Sequence, residues 1–486
     1  MAIRCSCVVA SLILMLAAAV PAPAAAQGAP PNLAELLPDL ILREITLPRP
    51  VTSGLSHVAH FSPIDADELD NPAVGIVRSF NTLMLMQLST FPLGSPAGGF
   101  TYRFDETLGT FTRTTPSFGP VFAERAVTMG RNRFNAGFSY QHTTYRSFEG
   151  RNLGDGAIKF YLRHEECCSS GSGGGTGGGG GGSGGGGGPV VTPNDTRFDP
   201  PFEGDLIEAA LSMRTSTDTA VFSLNYGLTD RWDIGVLVPL VHVSLEADVQ
   251  ATILRLSTSG DQLTHTFEAG NPNATEKNFS LGGSATGLGD VVLRSQYRVL
   301  DFAGGGLAGG VDVRMPTGDQ NNLLGAGGQT KMFAIVSGGR GRFMQHANFG
   351  YTATWGSVPN VGLLATLGGA TSLPDEINYA AGVELVVESR LTIVGDVLGR
   401  SLRDAGRLVV VSKPFEYVTR NGGPVQTANF DEFDPRPGNL NLTLGTVGVK
   451  FNPKGNLLIS ASVLFPVSSS GLKSRATPVI GVDYAF

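Results

Sequence analysis

Charged residues standing singly inside apolar runs are the part of this 486-residue sequence with the most scope for chemistry. Asp290, Arg294 and Arg298 alternate with Val291, Leu293 and Tyr297, and Asp312 and Arg314 alternate with Val311, Val313 and Met315. Glu384, Asp396 and Arg400 lie opposite the apolar parity of their own segments, and Asp233 lies among Trp232, Ile234, Val236, Val238 and Leu240. Successive side chains of an extended chain point to opposite faces, so each set places charge on the face away from the apolar one. Such a face can be filled by ion pairs that fix register, or it can line a polar path for a solute. Neither reading names a substrate.

Catalysis has little support. A hydrolytic site needs a nucleophile or activated water beside a base, with oxyanion donors at hand. His57, His60, His142, His164, His242, His265 and His346 are scattered singly, and none is accompanied by a recognisable Gly-x-Ser-x-Gly or His-Glu-x-x-His arrangement. The one local cluster of metal-ligand types is "RHEECC" at 163–168. Adjacent thiols bridge only with strain and lack zinc-site spacing, so Cys167 and Cys168 read as the start of a polar loop. The glycine tract that follows has no Lys-Ser/Thr ending and is no phosphate loop. No enzyme, cofactor or metal is expected.

The elements that carry the charges are strands. From Arg131 onward, segments of alternating apolar residues span 132–148, 206–228, 231–256, 286–300, 306–316, 330–339, 341–356, 376–388, 390–402, 438–452, 455–466 and 475–486. They are joined in turn by very short polar turns, such as Glu388-Ser389-Arg390 and "NPKG" at 452–455, and by longer connections at about 149–205, 257–285, 316–329, 357–375, 403–437 and 467–474. Tight turns on one side and long loops on the other, with an even strand number, are the pattern of an outer-membrane barrel. The fold class expected is all-β, a transmembrane antiparallel up-and-down barrel of 12 to 14 strands with an amino-terminal helical or irregular segment.

Composition and the chain's first residues agree with export. Arg4, an apolar run from Val8 to Val20 and Ala24-Ala25-Ala26 read as a secretory signal peptide over 1–26. Cys5 and Cys7 precede the apolar run, which argues against a lipoprotein. Glycine reaches 66 residues and charged residues only 16%, and no later run of about 18 apolar residues could form a spanning helix. A formal charge of -7 without a basic cluster gives nucleic acid no place as a partner.

A membrane makes closure obligatory, because unpaired N–H and C=O groups in hydrocarbon cost several kcal/mol each. The first strand is therefore expected to pair with the last. Phe486 then follows Val482 and Tyr484 on the lipid face and reads as the aromatic residue presented to the barrel assembly machinery. Phe343, Ala347, Phe349, Tyr351, Ala353 and Trp355 are expected to meet lipid, opposite His346, Asn348, Gly350, Thr352 and Thr354. Tyr226, Trp232, Tyr351, Trp355 and Tyr484 stand where an aromatic girdle belongs. An arginine on the lipid face near the midplane would cost about 2 to 4 kcal/mol, so the charges listed above are expected inside.

The stretches "YGLTDRWDIGVLVPLV" (226–241), "GLGDVVLRSQYRV" (287–299), "GGVDVRMPTGDQNNLLGAGG" (309–328) and "HANFGYTATWG" (346–356), in this order, resemble those of the outer-membrane transporters named after the meta-cleavage pathway of phenol degradation. The resemblance covers about residues 200–486 and implies a barrel related to the long-chain fatty-acid channels, with a role in uptake of small hydrophobic or aromatic compounds. Asn71-Pro72-Ala73 is similar to a triplet in the plug of the fatty-acid channel.

Three regions follow: a signal peptide (1–26), an amino-terminal plug or periplasmic segment (27–130) and the barrel (131–486), with 169–189 a flexible glycine-rich loop. Leu33, Leu36, Leu37 and Leu40 predict a short amphipathic helix, and "FTYRFDETLGTFTRT" predicts a hairpin. Alternation near 80–91 and 99–114 would raise the strand number to fourteen. Two functional classes stand: a solute channel, with outer-membrane lipid, the assembly machinery and a small-molecule solute as partners, or a structural or adhesive barrel acting through its long loops.

Overall fold

The computed structural model describes residues 32–48, 72–90, 94, 99, 101–105, 110–113, 115–163, 204–258, 265–358, 371–419 and 423–486. Residues 1–26, Asn71, Cys167, Cys168 and the tract 169–189 lie outside them.

Alternation at period two closes into one antiparallel barrel of twelve strands. These are β1 (Phe134–Phe148), β2 (Leu206–Thr229), β3 (Trp232–Leu254), β4 (Glu276–Leu288, resumed as Val292–Phe302), β5 (Gly305–Arg314) and β6 (Gln329–Arg340). The circuit continues through β7 (Phe343–Thr354), β8 (Glu376–Glu388), β9 (Leu391–Leu402), β10 (Leu440–Lys454), β11 (Leu457–Pro466) and β12 (Thr477–Ala485). Each pairs with its neighbour in sequence, and β12 returns to β1, with Val479 facing Gln141 and Ala485 facing Asn135. The Phe486 N–H donates to the Phe134 carbonyl at 2.8 Å, which ties down the end of the seam.

At one end, β2–β3, β4–β5, β6–β7, β8–β9 and β10–β11 are joined by two-residue turns. Gly304, Gly341 and Gly455 supply positive φ in three of them, which a side chain would resist. The exterior is apolar: Met332 and Phe349 are each 63% exposed, a state that water would penalise and hydrocarbon does not. Trp232, Tyr484 and Phe486 ring the short-turn rim, and Tyr351 and Trp355 the other. The Tyr351 hydroxyl donates to Asp375 Oδ2 at 2.5 Å, so an amphipathic ring spans the boundary between oil and water.

Helix α1 (Leu33–Asp39) widens at Leu40–Glu44 into a π turn, just after Pro38 removes a backbone donor. Its residues are buried on almost every side, Ala34, Leu36, Leu40 and Ile41 completely. It is therefore a core helix, more enclosed than the amphipathic helix its spacing predicts. Helix α2 (Pro72–Leu88) opens on Pro72 and Ala73 and is rich in strong helix formers. It corrects the expectation of a strand near 80–91: Phe80, Met84 and Met86 are buried helical residues. Segment 99–114 contributes only a local hairpin, Tyr102–Asp105 with Thr110–Arg113, outside the barrel sheet. Twelve strands result, not fourteen.

The helices pack at the long-loop end. Phe80 stacks at 4.8 Å on Phe148 of β1 and at 5.8 Å on Phe160, and Phe433 of the hairpin Arg407–Tyr417/Gln426–Arg436 completes the cluster at 6.4 Å. Leu402, Leu440 and Leu472, at long-loop ends of the wall, belong to the same core. Asn81 Nδ2 donates to the Ala34 carbonyl at 3.0 Å and locks α2 to α1.

One strand departs from its expected form. A loop is expected over 257–285, yet β4 begins at Glu276, because β3 projects far enough to pair with it from Thr252 to Leu240. After Leu288 the strand breaks for three residues, and only Val292–Phe302 pairs with β5. The outer half of β4 has a strand partner on one edge alone among the described residues. At the break, Gly289 N–H donates to the Pro239 carbonyl at 2.8 Å, and Thr317 Oγ1 accepts from Val291 N–H and donates to the Gly289 carbonyl.

Candidate functional site

Residues 115–131 have no periodic pattern, and their backbone partners explain their path. Lys450 Nζ (β10) donates to the Pro120 carbonyl at 2.6 Å. Gly119 N–H donates to Glu384 Oε2 (β8) at 2.8 Å, and the N–H groups of Val121 and Phe122 both reach Asp396 Oδ2 (β9) at 2.9 Å. Glu124 N–H meets Asn348 Oδ1 (β7) at 2.7 Å, Ala126 N–H meets Ser337 Oγ (β6) at 2.8 Å and Met129 N–H meets Asp233 Oδ2 (β3) at 2.8 Å. Gln296 (β4) donates to the carbonyls of Arg125 and Val127.

The segment thus runs as a belt around the inner wall from β10 to β3, near the short-turn end. From Phe122 at β9 to Met129 at β3 it passes six strands in seven residues, a short chord inside the wall. The belt passes closest at Gly227, where a Cβ would strike the Gly130 carbonyl, and it also crowds Gly382, where a Cβ would meet Asp396 and Ala123. His346 braces the ladder, with Nδ1 2.8 Å from Ser337 Oγ and Nε2 2.6 Å from Glu384 Oε1.

Between the belt and the end of α2 lies a cavity of about 290 Å³. Gln87 and Thr90 close it on one side, and Phe122 and Glu124 on the other. Leu398, Leu442, Leu444 and Leu464, from β9, β10 and β11, make one wall apolar. The facing wall carries Arg294, Asp312, Arg314 and Lys331, of β4 to β6, while Glu376 and Arg400, of β8 and β9, adjoin the leucines. Leu237 and Val292, beside the break in β4, also line it.

The charges have distinct partners. Arg294 forks onto Asp312, with Nε to Oδ1 at 2.6 Å and Nη2 to Oδ2 at 2.5 Å, and its Nη1 reaches Glu124 of the belt. Arg400 donates through Nη2 to Glu376 Oε1 at 2.8 Å and through Nη1 to the Thr90 carbonyl and hydroxyl at 2.9 and 2.7 Å.

The residues singled out by parity divide into three groups. Arg294, Asp312, Arg314 and Arg400 border the cavity. Asp233, Glu384 and Asp396 accept belt N–H groups, as above. Asp290 and Arg298 keep the inward parity of their strand but do not line the cavity. Asp290 sits in the break of β4, where its carboxylate takes the N–H of Gly318 at 3.0 Å and of Ala326 at 2.7 Å; this folds loop 316–328 against the wall. Arg298 pairs with Asp301 at the adjacent turn, away from the cavity.

Lys331, Glu376, Glu124 and Lys450 are missing from the parity reading. Lys331 shares its face with Phe333 and Ile335, which point inward despite being apolar, so β6 shows no clean alternation. Glu376 begins its strand, and Glu124 lies in a belt that has no period. Lys450, between Val449 and Phe451, was detectable by the same parity as the others.

No protein-family model matches this sequence, and no curated protein matches it. Among solved structures it is similar to an outer-membrane channel from Pseudomonas putida F1, at 11% identity over 74% of this chain and 98% of that one, with a TM-score of 0.38. The toluene transporter TbuX of Ralstonia pickettii is 14% identical over 82% and 99% of the two chains, TM-score 0.29. The Pseudomonas aeruginosa FadL homologue is 11% identical over 73% and 90%, TM-score 0.29. These likenesses are too distant to decide a solute.

Proposed function

We propose that this barrel is an outer-membrane channel that admits small hydrophobic or aromatic compounds, with residues 27–130 acting as its plug. The observation that carries the reading is the cavity: it lies between helix above and belt below, and four leucines line one wall. A cavity of about 150 Å³ lined by Leu, Ile and Phe is enough to bind benzene, so about 290 Å³ holds one substituted ring. The belt is held by hydrogen bonds to side chains, which water in an open lumen can replace. Membership of the phenol-pathway transporters, export by a signal peptide over 1–26 and recognition of Phe486 by the assembly machinery belong to the same proposal.

Uptake of radiolabelled toluene by cells with and without the protein tests the reading, together with single-channel conductance of the wild type and of Asp396→Ala. Faster uptake with the protein, and longer open times in the variant, are expected. No conductance in either form and no difference in uptake would overturn it.

A further inference from the structure

The charged wall of the cavity is not balanced. Three carboxylates line it, Glu124, Asp312 and Glu376, against five cations, Arg294, Arg314, Lys331, Arg400 and Lys473. Arg294 occupies both oxygens of Asp312 and reaches Glu124, and Arg400 takes Glu376. Arg314 and Lys331 have no hydrogen bond or ion pair with protein among the described residues; Lys331 instead places Nζ 4.8 Å from the Phe333 ring centroid.

Position makes these two cations a pair. Arg314 of β5 lies opposite Gln329 of β6, and Lys331 follows two residues along the same strand. The two side chains are diagonal neighbours on one face, a relation that separates Cα atoms by about 7 to 8 Å and leaves long side chains free to converge. Like charges so placed repel until an anion lies between them, and a carboxylate has two oxygens to offer. Opposite them stands the leucine wall.

Resting on the channel reading above, we infer that the cavity is a binding site for a small monocarboxylate with an apolar body, of the size of a substituted benzoate. Its carboxylate bridges Arg314 and Lys331, and its ring lies against Leu444 and Leu464. The excess of positive charge favours an anion, and the volume excludes a long chain lying wholly inside.

Binding of benzoate and of benzamide, its neutral isostere, to the purified full chain at neutral pH and physiological salt tests this. The wild type should bind benzoate at least tenfold more tightly, and in Arg314→Gln/Lys331→Gln the ratio should fall close to one. A ratio near one in the wild type, or a ratio unchanged in the double variant, overturns the inference. If the double variant fails to assemble, the wild-type protein decides through benzylammonium, which has the same ring and the opposite charge: competition as strong as that of benzoate overturns the site. Toluene uptake by the same wild-type preparation separates the two claims. Uptake without benzoate preference removes the carboxylate site and leaves the channel, whereas loss of both removes both.

Discussion

The helices α1 and α2 and the belt 115–131 are held by different balances of contact. At the long-loop end α1 and α2 are fixed by apolar packing around Phe80, with Leu36, Leu40 and Ile41 fully buried. At the short-turn end the belt is fixed by backbone N–H groups on Glu384, Asp396, Asn348, Ser337 and Asp233. Burial of a phenyl or leucyl group has no substitute in water. A hydrogen bond opened into a wet lumen is largely replaced by one to water, so its net worth is only about 0.5 to 1.5 kcal/mol, or about 1.5 to 3 where a charge takes part. The comparison teaches which end can let go more readily: the belt adds only small apolar clusters, at Phe118, Phe122 and Ala126, to its hydrogen bonds, whereas the helices rest on one large core.

Four substitutions break or sharpen that contrast. Arg294→Glu should have the largest effect, because Arg294 joins the belt to the wall through Glu124 and Asp312. Breaking a buried pair costs about 3 to 5 kcal/mol, and reversal would place three carboxylates together. Loss of heat-modifiable mobility, or a sharply lowered Tm, is the expected result; wild-type stability would mean that this site is wet. Next, Leu36→Ala should cost about 2 to 5 kcal/mol locally, seen as protease cleavage between α1 and α2 in a barrel whose gel mobility is unchanged.

Asp396→Ala removes the acceptor of two belt N–H groups and should cost about 1 to 3 kcal/mol, seen as faster hydrogen exchange at Val121 and Phe122 with α1 and α2 still protected. Equal exchange at both ends would erase the contrast drawn here. The smallest effect belongs to the exposed hairpin beyond the barrel, where Lys413 and then Arg436 hold the Asp434 carboxyl below its ordinary range. A depressed carboxyl contributes stability above its unfolded value and loses it as pH falls through the folded one. Lys413→Gln should move the Asp434 titration upward by NMR while changing stability by less than about 1 kcal/mol.

Much of the wall was legible before the structure. Trp232, Ile234 and Leu240 alternate with Asp233, and Phe343, Phe349 and Tyr351 with His346 and Asn348; period two in a half-apolar strand has one meaning where one face must meet lipid. The β6 and β4 strands show where this fails. Phe333 and Ile335 point inward to pack with Ala308 and Ala126, which hides Lys331. The outer half of β4, "EKNFSLGGSATGL", reads as a polar loop and becomes a strand only because β3 offers it an edge. Segment 80–91 misled for another reason: alternating Leu and Met suit either a strand or a helix buried on several sides.

Sequence alone therefore determined a barrel of twelve to fourteen strands, the short turns at one end, the closure of the last strand on the first and the side of the wall on which most charges lie. Each follows from local chemistry: the pleat alternates residue by residue, a tight turn takes short polar residues or glycine, and a strand in lipid must find partners on both edges. Only the tertiary structure decided which charge meets which. Arg294 finds Asp312 because β4 and β5 take one register out of several that would bury the same apolar face, and it finds Glu124 because a belt without any period crosses at that height. Partners of this kind are set by stagger between distant strands and by the path of an irregular segment, and neither leaves a repeat in the sequence.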